Sequence, residues 1–139
     1  SCDAQGNFWS TEHGRSGLQS GLDELNKIEK GKNYGWPTTQ GDKKQSGMES
    51  PVLHSGDDTW APASLAYKDG ILYFGGLRGA ALYTYDIQTK KVSKQFEGTY
   101  GRLREVIVGS DNHLYITTSN KDGRGKPKDA DDKIIRVDF

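Results

Sequence analysis

The stretch Tyr100-Gly101-Arg102-Leu103-Arg104-Glu105-Val106 places two arginines two residues apart where a strand begins. On an extended backbone, residues i and i+2 share one face. The planar guanidinium fork pairs with carboxylates through two parallel hydrogen bonds, so such a pair is suited to a carboxylated ligand. Two arginines on a solvated strand face are the ordinary alternative, because charged side chains are usually exposed. Arg78 stands at a glycine-rich corner, Gly75-Gly76-Leu77-Arg78-Gly79, where a plain exposed turn arginine is the competing reading. A different chemistry is suggested after Glu12-His13, in a loop punctuated by Gly14, Gly17 and Gly21. Three glycines imply a backbone that turns with positive φ or comes close to something bound. Carbonyls exposed in such a loop are ligands for a hard cation, although an ordinary surface loop has the same composition. His13, His54 and His113 are the side chains of the type that most often serves as a base near neutral pH. His113 follows Asp111-Asn112 and reads as an exposed turn residue.

Other chemistries find little support. No P-loop is present, and no GxGxxG follows a strand. Cys2 is the single cysteine, which excludes an intrachain disulfide and a cysteine-rich zinc site. Asp122-Gly123-Arg124-Gly125, with Asp129, Asp131 and Asp132 nearby, lacks the ligand order of an EF-hand and reads as a solvated loop.

The elements that must position these residues are short strands. Residues 7–12 alternate as a strand with two unlike faces, after a turn at Ala4-Gln5-Gly6-Asn7. Residues 25–29 and 34–38 are expected to be its partner strands, and residues 39–50 a long polar loop. From Ser64 the pattern sharpens into strands at 64–67, 71–75, 81–86 and 92–96, joined by tight turns. Four short antiparallel strands at near-even spacing are what one β-propeller blade looks like. The pattern restarts at 103–108, 114–118 and 133–138, without a fourth strand. The chain is expected to be all-β. It divides into a loop-rich blade at 1–62, a complete blade at 63–98 and an incomplete blade at 99–139. A propeller needs at least four blades, so these two and a half to three blades require more chain or a second copy to close a ring.

The bulk composition is compatible with that organisation. The chain has 139 residues with 19 basic and 19 acidic side chains, so there is no overall basic field to attract nucleic acid. Hydrophobic residues make up 32%, and 18 glycines bring the apolar share nearer that of a folded domain. No apolar run approaches the roughly 20 residues of a membrane span. No signal peptide is visible, and the start at Ser1-Cys2-Asp3 reads as cut or processed.

Glu12-His13-Gly14, Asp23-Glu24-Leu25-Asn26 and Gly31-Lys32-Asn33-Tyr34-Gly35-Trp36-Pro37 occur in an order and spacing that resemble the soluble aldose sugar dehydrogenases dependent on pyrroloquinoline quinone. These are also called the glucose/sorbosone dehydrogenase family. The resemblance covers essentially the whole chain and the C-terminal part of the family's length. It implies about half of a six-bladed propeller of four-stranded antiparallel sheets, with the quinone and calcium as cofactors. It assigns cofactor binding to Arg102 and Arg104, matching the family's GR-x-R-[DE]-V segment, to Arg78, and to Trp60 as a bordering aromatic ring. Core packing or a channel lining is an equal reading for Trp60. The resemblance further implies calcium ligation by the carbonyls of Gly14 and Arg15, where Arg15 replaces the usual proline. A second calcium would sit at Glu24 and Tyr34, with an ion-free hairpin as the alternative. The partners implied are a sugar substrate, an electron acceptor and the remaining blades, in a periplasmic or secreted setting. None of the three histidines matches the family's catalytic histidine. A non-catalytic propeller module, possible also as a self-associating half ring, is therefore the second reading.

Overall fold

The computed structural model describes residues 1–139. Ten strands form three antiparallel sheets that follow one another along the chain. The first sheet contains β1 (Phe8–Glu12), β2 (Glu24–Ile28) and β3 (Leu53–His54), in that order. The second contains β4 (Pro62–Lys68), β5 (Ile71–Gly76), β6 (Leu82–Asp86) and β7 (Val92–Gln95) as a four-stranded meander. The third contains β8 (Leu103–Val108), β9 (Leu114–Thr118) and β10 (Ile134–Val137), with β9 in the middle. The chain is thus all-β, built of propeller blades. No helix is long and apolar enough to cross a membrane.

One expected strand is absent. Residues 34–38 form a turn, and the third strand of the first sheet is β3 instead. The residues themselves give the reason. Pro37 has no N–H for a ladder, and the N–H groups of Thr38 and Thr39 both fold back onto the Gly35 carbonyl. Asn33 Oδ1 accepts from Gly35 N at 2.8 Å, which closes the turn further. β3 adds to β2 through Leu53 and His54 opposite Leu25 and Glu24.

Packing occurs between sheets. Tyr73 and Leu82 of the second sheet meet Leu103, Val106, Leu114, Ile116 and Val137 of the third. Trp9 and Leu25 of the first meet Leu72 and Tyr85 of the second. Each fully buried leucine contributes about 1.5–3 kcal/mol. Much of the apolar driving force therefore lies in the interfaces, and the sheets fold as a stack. Gly75 is required by that stacking. A Cβ there would lie 2.8 Å from the Leu103 carbonyl oxygen, so only glycine lets β5 approach the start of β8.

Candidate functional site

Loops from all three sheets converge on a cavity of about 430 Å³. Its walls are the turn after β1 (His13, Arg15, Ser16, Gly17), the link before β4 (Thr59, Ala61), the β5–β6 corner (Leu77, Arg78), Arg102 and Arg124.

Arg102 and Arg104 do face one side, and they share a partner. Arg102 donates from Nε and Nη2 to Asp122 Oδ2, at 3.0 and 2.8 Å. Its Nη1 donates to the Leu77 carbonyl at 3.1 Å, tying it to the Arg78 corner. Arg104 donates from Nη2 to the same Asp122 oxygen at 3.1 Å and from Nε to Ser119 Oγ at 2.9 Å. Two guanidinium groups thus converge on one carboxylate oxygen. The Arg102 hydrogen bond, helped by the Arg124 N–H and both positive charges, holds the Asp122 carboxyl at a pKa of about 2 despite some desolvation. The chain enters β8 through Gly101, at φ 72°. A Cβ at Gly101 would lie 2.3 Å from Asn120 Oδ1, the atom that accepts from Arg102 N at 2.9 Å. The 120–125 loop, expected to be merely solvated, is therefore the brace of the arginine pair.

A second carboxylate brace was not anticipated from the sequence. Asp23, 2% exposed, accepts from Gly14 N at Oδ1 (2.9 Å) and from Trp60 N and Ala61 N at Oδ2 (2.6 and 2.9 Å). One side chain so fixes the glycine loop against the link before β4. The Gly14 and Arg15 carbonyls accept no hydrogen bond within the chain. Arg15 donates its N–H to the Gly21 carbonyl at 2.9 Å, which sets the loop without proline. Its Nε is buried without a partner.

Glu24 and Tyr34 come together in a narrow crevice with Glu12, His13 and Gly14. Glu12 and Glu24 are paired across β1 and β2. Burial, and then the neighbouring Glu24 charge, raise the Glu12 pKa. Glu24 Oε1 accepts from Gly41 N at 2.8 Å, and Oε2 from Asn26 Nδ2 at 3.3 Å. The Asn26 Oδ1 atom is buried without a donor. Two facing carboxylates and an orphaned amide oxygen are the donor types that suit calcium. The Tyr34 hydroxyl is engaged elsewhere, donating to the Lys27 carbonyl at 2.6 Å and accepting from Glu29 N at 2.8 Å.

Arg78 lines the cavity and forms no ion pair; its N–H donates to the Trp60 carbonyl at 3.2 Å. The Trp60 ring lies in the core, 5.4 Å from Phe74 and 5.3 Å from Tyr83 between centroids. Its neighbours Thr59 and Ala61 reach the cavity wall in its place. The core-packing reading of Trp60 is the one the structure supports, since a large apolar ring is better buried beside two aromatics than left at a polar opening. His13 also lines the cavity, with Nε2 2.8 Å from the Pro62 carbonyl. Asp23, Asn120, Asp122 and Arg124 are the site residues that motif reading passed over. Asp122 lies four residues beyond the end of β9, the strand paired with the arginine-bearing β8, so its role is set by how the sheets stack.

A family model described as Glucose / Sorbosone dehydrogenase matches residues 1–135. The PQQ-bound aldose sugar dehydrogenase of Streptomyces coelicolor superposes with a TM-score of 0.87 at 36% identity, over 97% of this chain and 40% of that one. A protein of Thermus thermophilus described as a glucose dehydrogenase gives 0.86 at 40% identity, over 96% and 42%. Among curated proteins, the Escherichia coli aldose sugar dehydrogenase YliI is 27% identical, over 84% of this chain and 36% of its own length. The chain spans about a third of the length of the curated relatives it matches.

Proposed function

Since the chain belongs to the Glucose / Sorbosone dehydrogenase family, we propose that it is the C-terminal, cofactor-holding part of an aldose dehydrogenase dependent on pyrroloquinoline quinone and calcium. The observation that carries this reading is the convergence of Arg102 and Arg104 on one carboxylate oxygen beside the cavity. The same arginine geometry suits a carboxylate of the quinone. In this reading residues 1–62, 63–98 and 99–139 are successive blades. Arg78, Arg102 and Arg104 hold the carboxylated cofactor, while the Gly14 and Arg15 carbonyls take calcium. Glu24, with the Tyr34 segment beside it, holds a second calcium. When bound, the quinone supplies a hydride acceptor for the sugar and calcium a Lewis acid. Asp122 keeps the arginines in register and Asp23 keeps the calcium loop against the cavity wall. No histidine of this chain is given the role of base, which is left to the rest of the propeller. The setting is periplasmic or extracellular, with a sugar as substrate and a separate electron acceptor.

The test is titration of the chain with pyrroloquinoline quinone, with and without calcium, followed by absorbance and calorimetry. Calcium-dependent binding that falls at least tenfold in Arg102→Ala/Arg104→Ala is the expected result. Equal binding in parent and variant would overturn the arginine assignment. Absence of binding at high concentrations of both would favour a second reading, a scaffold module without chemistry. That reading draws on Arg15 standing where the family has proline, on the lack of a matching catalytic histidine and on the incomplete ring.

A further inference from the structure

We propose that a second pocket, beside the cofactor cavity, binds a phosphorylated small molecule of about sugar size. The pocket has a volume of about 380 Å³ and lies between the β5–β6 corner, the segment entering β8 and the loop after β9. All its walls come from residues 77–133, so it is formed by the second and third sheets alone. It shares Leu77, Arg78, Arg102 and Arg124 with the cavity described above, but the two open on different residues.

Its charge is one-sided. Arg78, Arg102, Arg124, Lys126, Lys128 and Lys133 line it, against one carboxylate, Asp131. The chain as a whole carries 19 basic and 19 acidic residues, so this is a local concentration and not a general basic surface. Asp131 is already committed, with Oδ2 accepting from Asn120 Nδ2 at 3.0 Å and from Lys128 N at 2.8 Å. Arg102 is matched by Asp122, and Lys133 lies 4.0 Å from Asp131. Arg78, Arg124, Lys126 and Lys128 have no acidic partner. Arg78 also faces the cofactor cavity and is assigned to the quinone there, but Arg124, Lys126 and Lys128 still leave three unpaired cations around one concavity, and a bound dianion removes their mutual repulsion.

The choice of phosphate follows from the donors. A planar carboxylate is served by a guanidinium fork, whereas a tetrahedral dianion accepts from several directions. Lysines act there as point charges beside arginines. The N–H groups of Tyr100 and Gly101, both on the lining, donate to nothing in the chain. Main-chain N–H groups of this kind complete anion sites. The pocket falls within the range of about 300–1,000 Å³ typical of small-molecule sites, which leaves room for the carrier of the phosphoryl group.

The experiment is calorimetric titration of the chain at about 0.15 M salt, where the Debye length of about 8 Å suppresses diffuse attraction. The probes are inorganic phosphate, glucose 6-phosphate and glucose. Binding of a phosphorylated probe is expected, weakened at least tenfold in Lys126→Ser/Lys128→Ser. An ester at least tenfold tighter than inorganic phosphate identifies a phosphate ester as the ligand, and equal affinities identify free phosphate. In parallel, phosphate should shift the Tyr100 and Gly101 amide resonances of the unsubstituted chain, a readout that needs no variant. No binding of either phosphorylated probe, or binding unchanged in the double variant, overturns the proposal. Lys126 and Lys128 lie outside the cofactor cavity, so quinone titration of this variant should match the parent. Failure of quinone binding and failure of phosphate binding are therefore separate results.

Discussion

Asp122 shows how one carboxylate organises an otherwise repulsive pair of cations. Arg102 and Arg104 would push each other apart without it, and its single oxygen lies within 3.1 Å of both. Its pKa falls from 3.8 to about 2 on folding. A carboxylate with a depressed folded pKa stabilises the fold above its unfolded pKa, and that contribution is lost as pH falls through the folded value. The thermal midpoint of the parent should exceed that of Asp122→Asn near pH 6, and the gap should close between about pH 4 and pH 2. Scanning calorimetry across that window measures it; a constant gap would mean that the carboxylate charge is not what stabilises the arginines. The arginines were legible in the sequence because period-two spacing puts them on one face and the stretch resembles the family's GR-x-R-[DE]-V segment. Asp122 was not, because a loop's partner is set by how the sheets stack, and nothing local in Asp122-Gly123-Arg124-Gly125 encodes it. Asp23 escaped for the same reason. Its acceptor role toward Trp60 and Ala61 spans 37 and 38 residues.

The strands themselves follow local rules, and nine of the ten were readable to within two residues from period-two alternation and turn residues, β3 being the exception. The first sheet was harder. β3 is only two residues long, and the run at 34–38 has the aromatic content of a strand without its hydrogen-bonding capacity. What the alternation could not supply is the distance between sheets, which small residues and buried carboxylates set. Asp23 is the clearest case. Removing it leaves three N–H groups without their acceptor, and hydrogen bonds to a charged group are worth about 1.5–3 kcal/mol each, less where water replaces them. Asp23→Ala should lower the unfolding free energy by roughly 3 kcal/mol. It should also speed amide exchange selectively at Gly14, Trp60 and Ala61, while the β8–β9 amides stay protected. Uniform exchange across all three sheets would show instead that Asp23 acts on global stability and not on the loop contact. Gly75→Ala tests the neighbouring sheet contact. Its Cβ would press on the Leu103 carbonyl oxygen at 2.8 Å, so a loss of about 1–3 kcal/mol is expected in denaturant unfolding, and a neutral result would mean that β5 and β8 part without cost.

At the scale of the whole molecule, the chain covers 40–42% of the length of the two solved structures described above. The outer faces carry the marks of a surface made for contact. Ile134 on β10 is 78% exposed and Phe8 on β1 is 64% exposed. β10 is an edge of its sheet with one hydrogen-bonding side unpaired, whereas the outer side of β1 is partly taken by Ser1 and Cys2, which bridge to Trp9 and Phe8. An apolar, unpaired edge strand templates pairing with another chain, and blades stacked in series lose buried area wherever a neighbour is missing. The 139-residue chain should therefore self-associate with rising concentration. A ring formed from two copies would be a closed, two-fold arrangement that ends at the dimer. Edge-to-edge pairing without closure would instead continue into larger species. Sedimentation velocity between about 5 and 200 μM separates these outcomes, because a closed ring gives a single limiting dimer and open pairing a broadening distribution. Ile134→Lys places a charge on the β10 edge, a natural device against strand addition, and should return either assembly toward monomer. A parent chain that remains monomeric throughout would show that the two edges are held apart from other copies despite their exposed apolar residues, and the half-ring reading would fall.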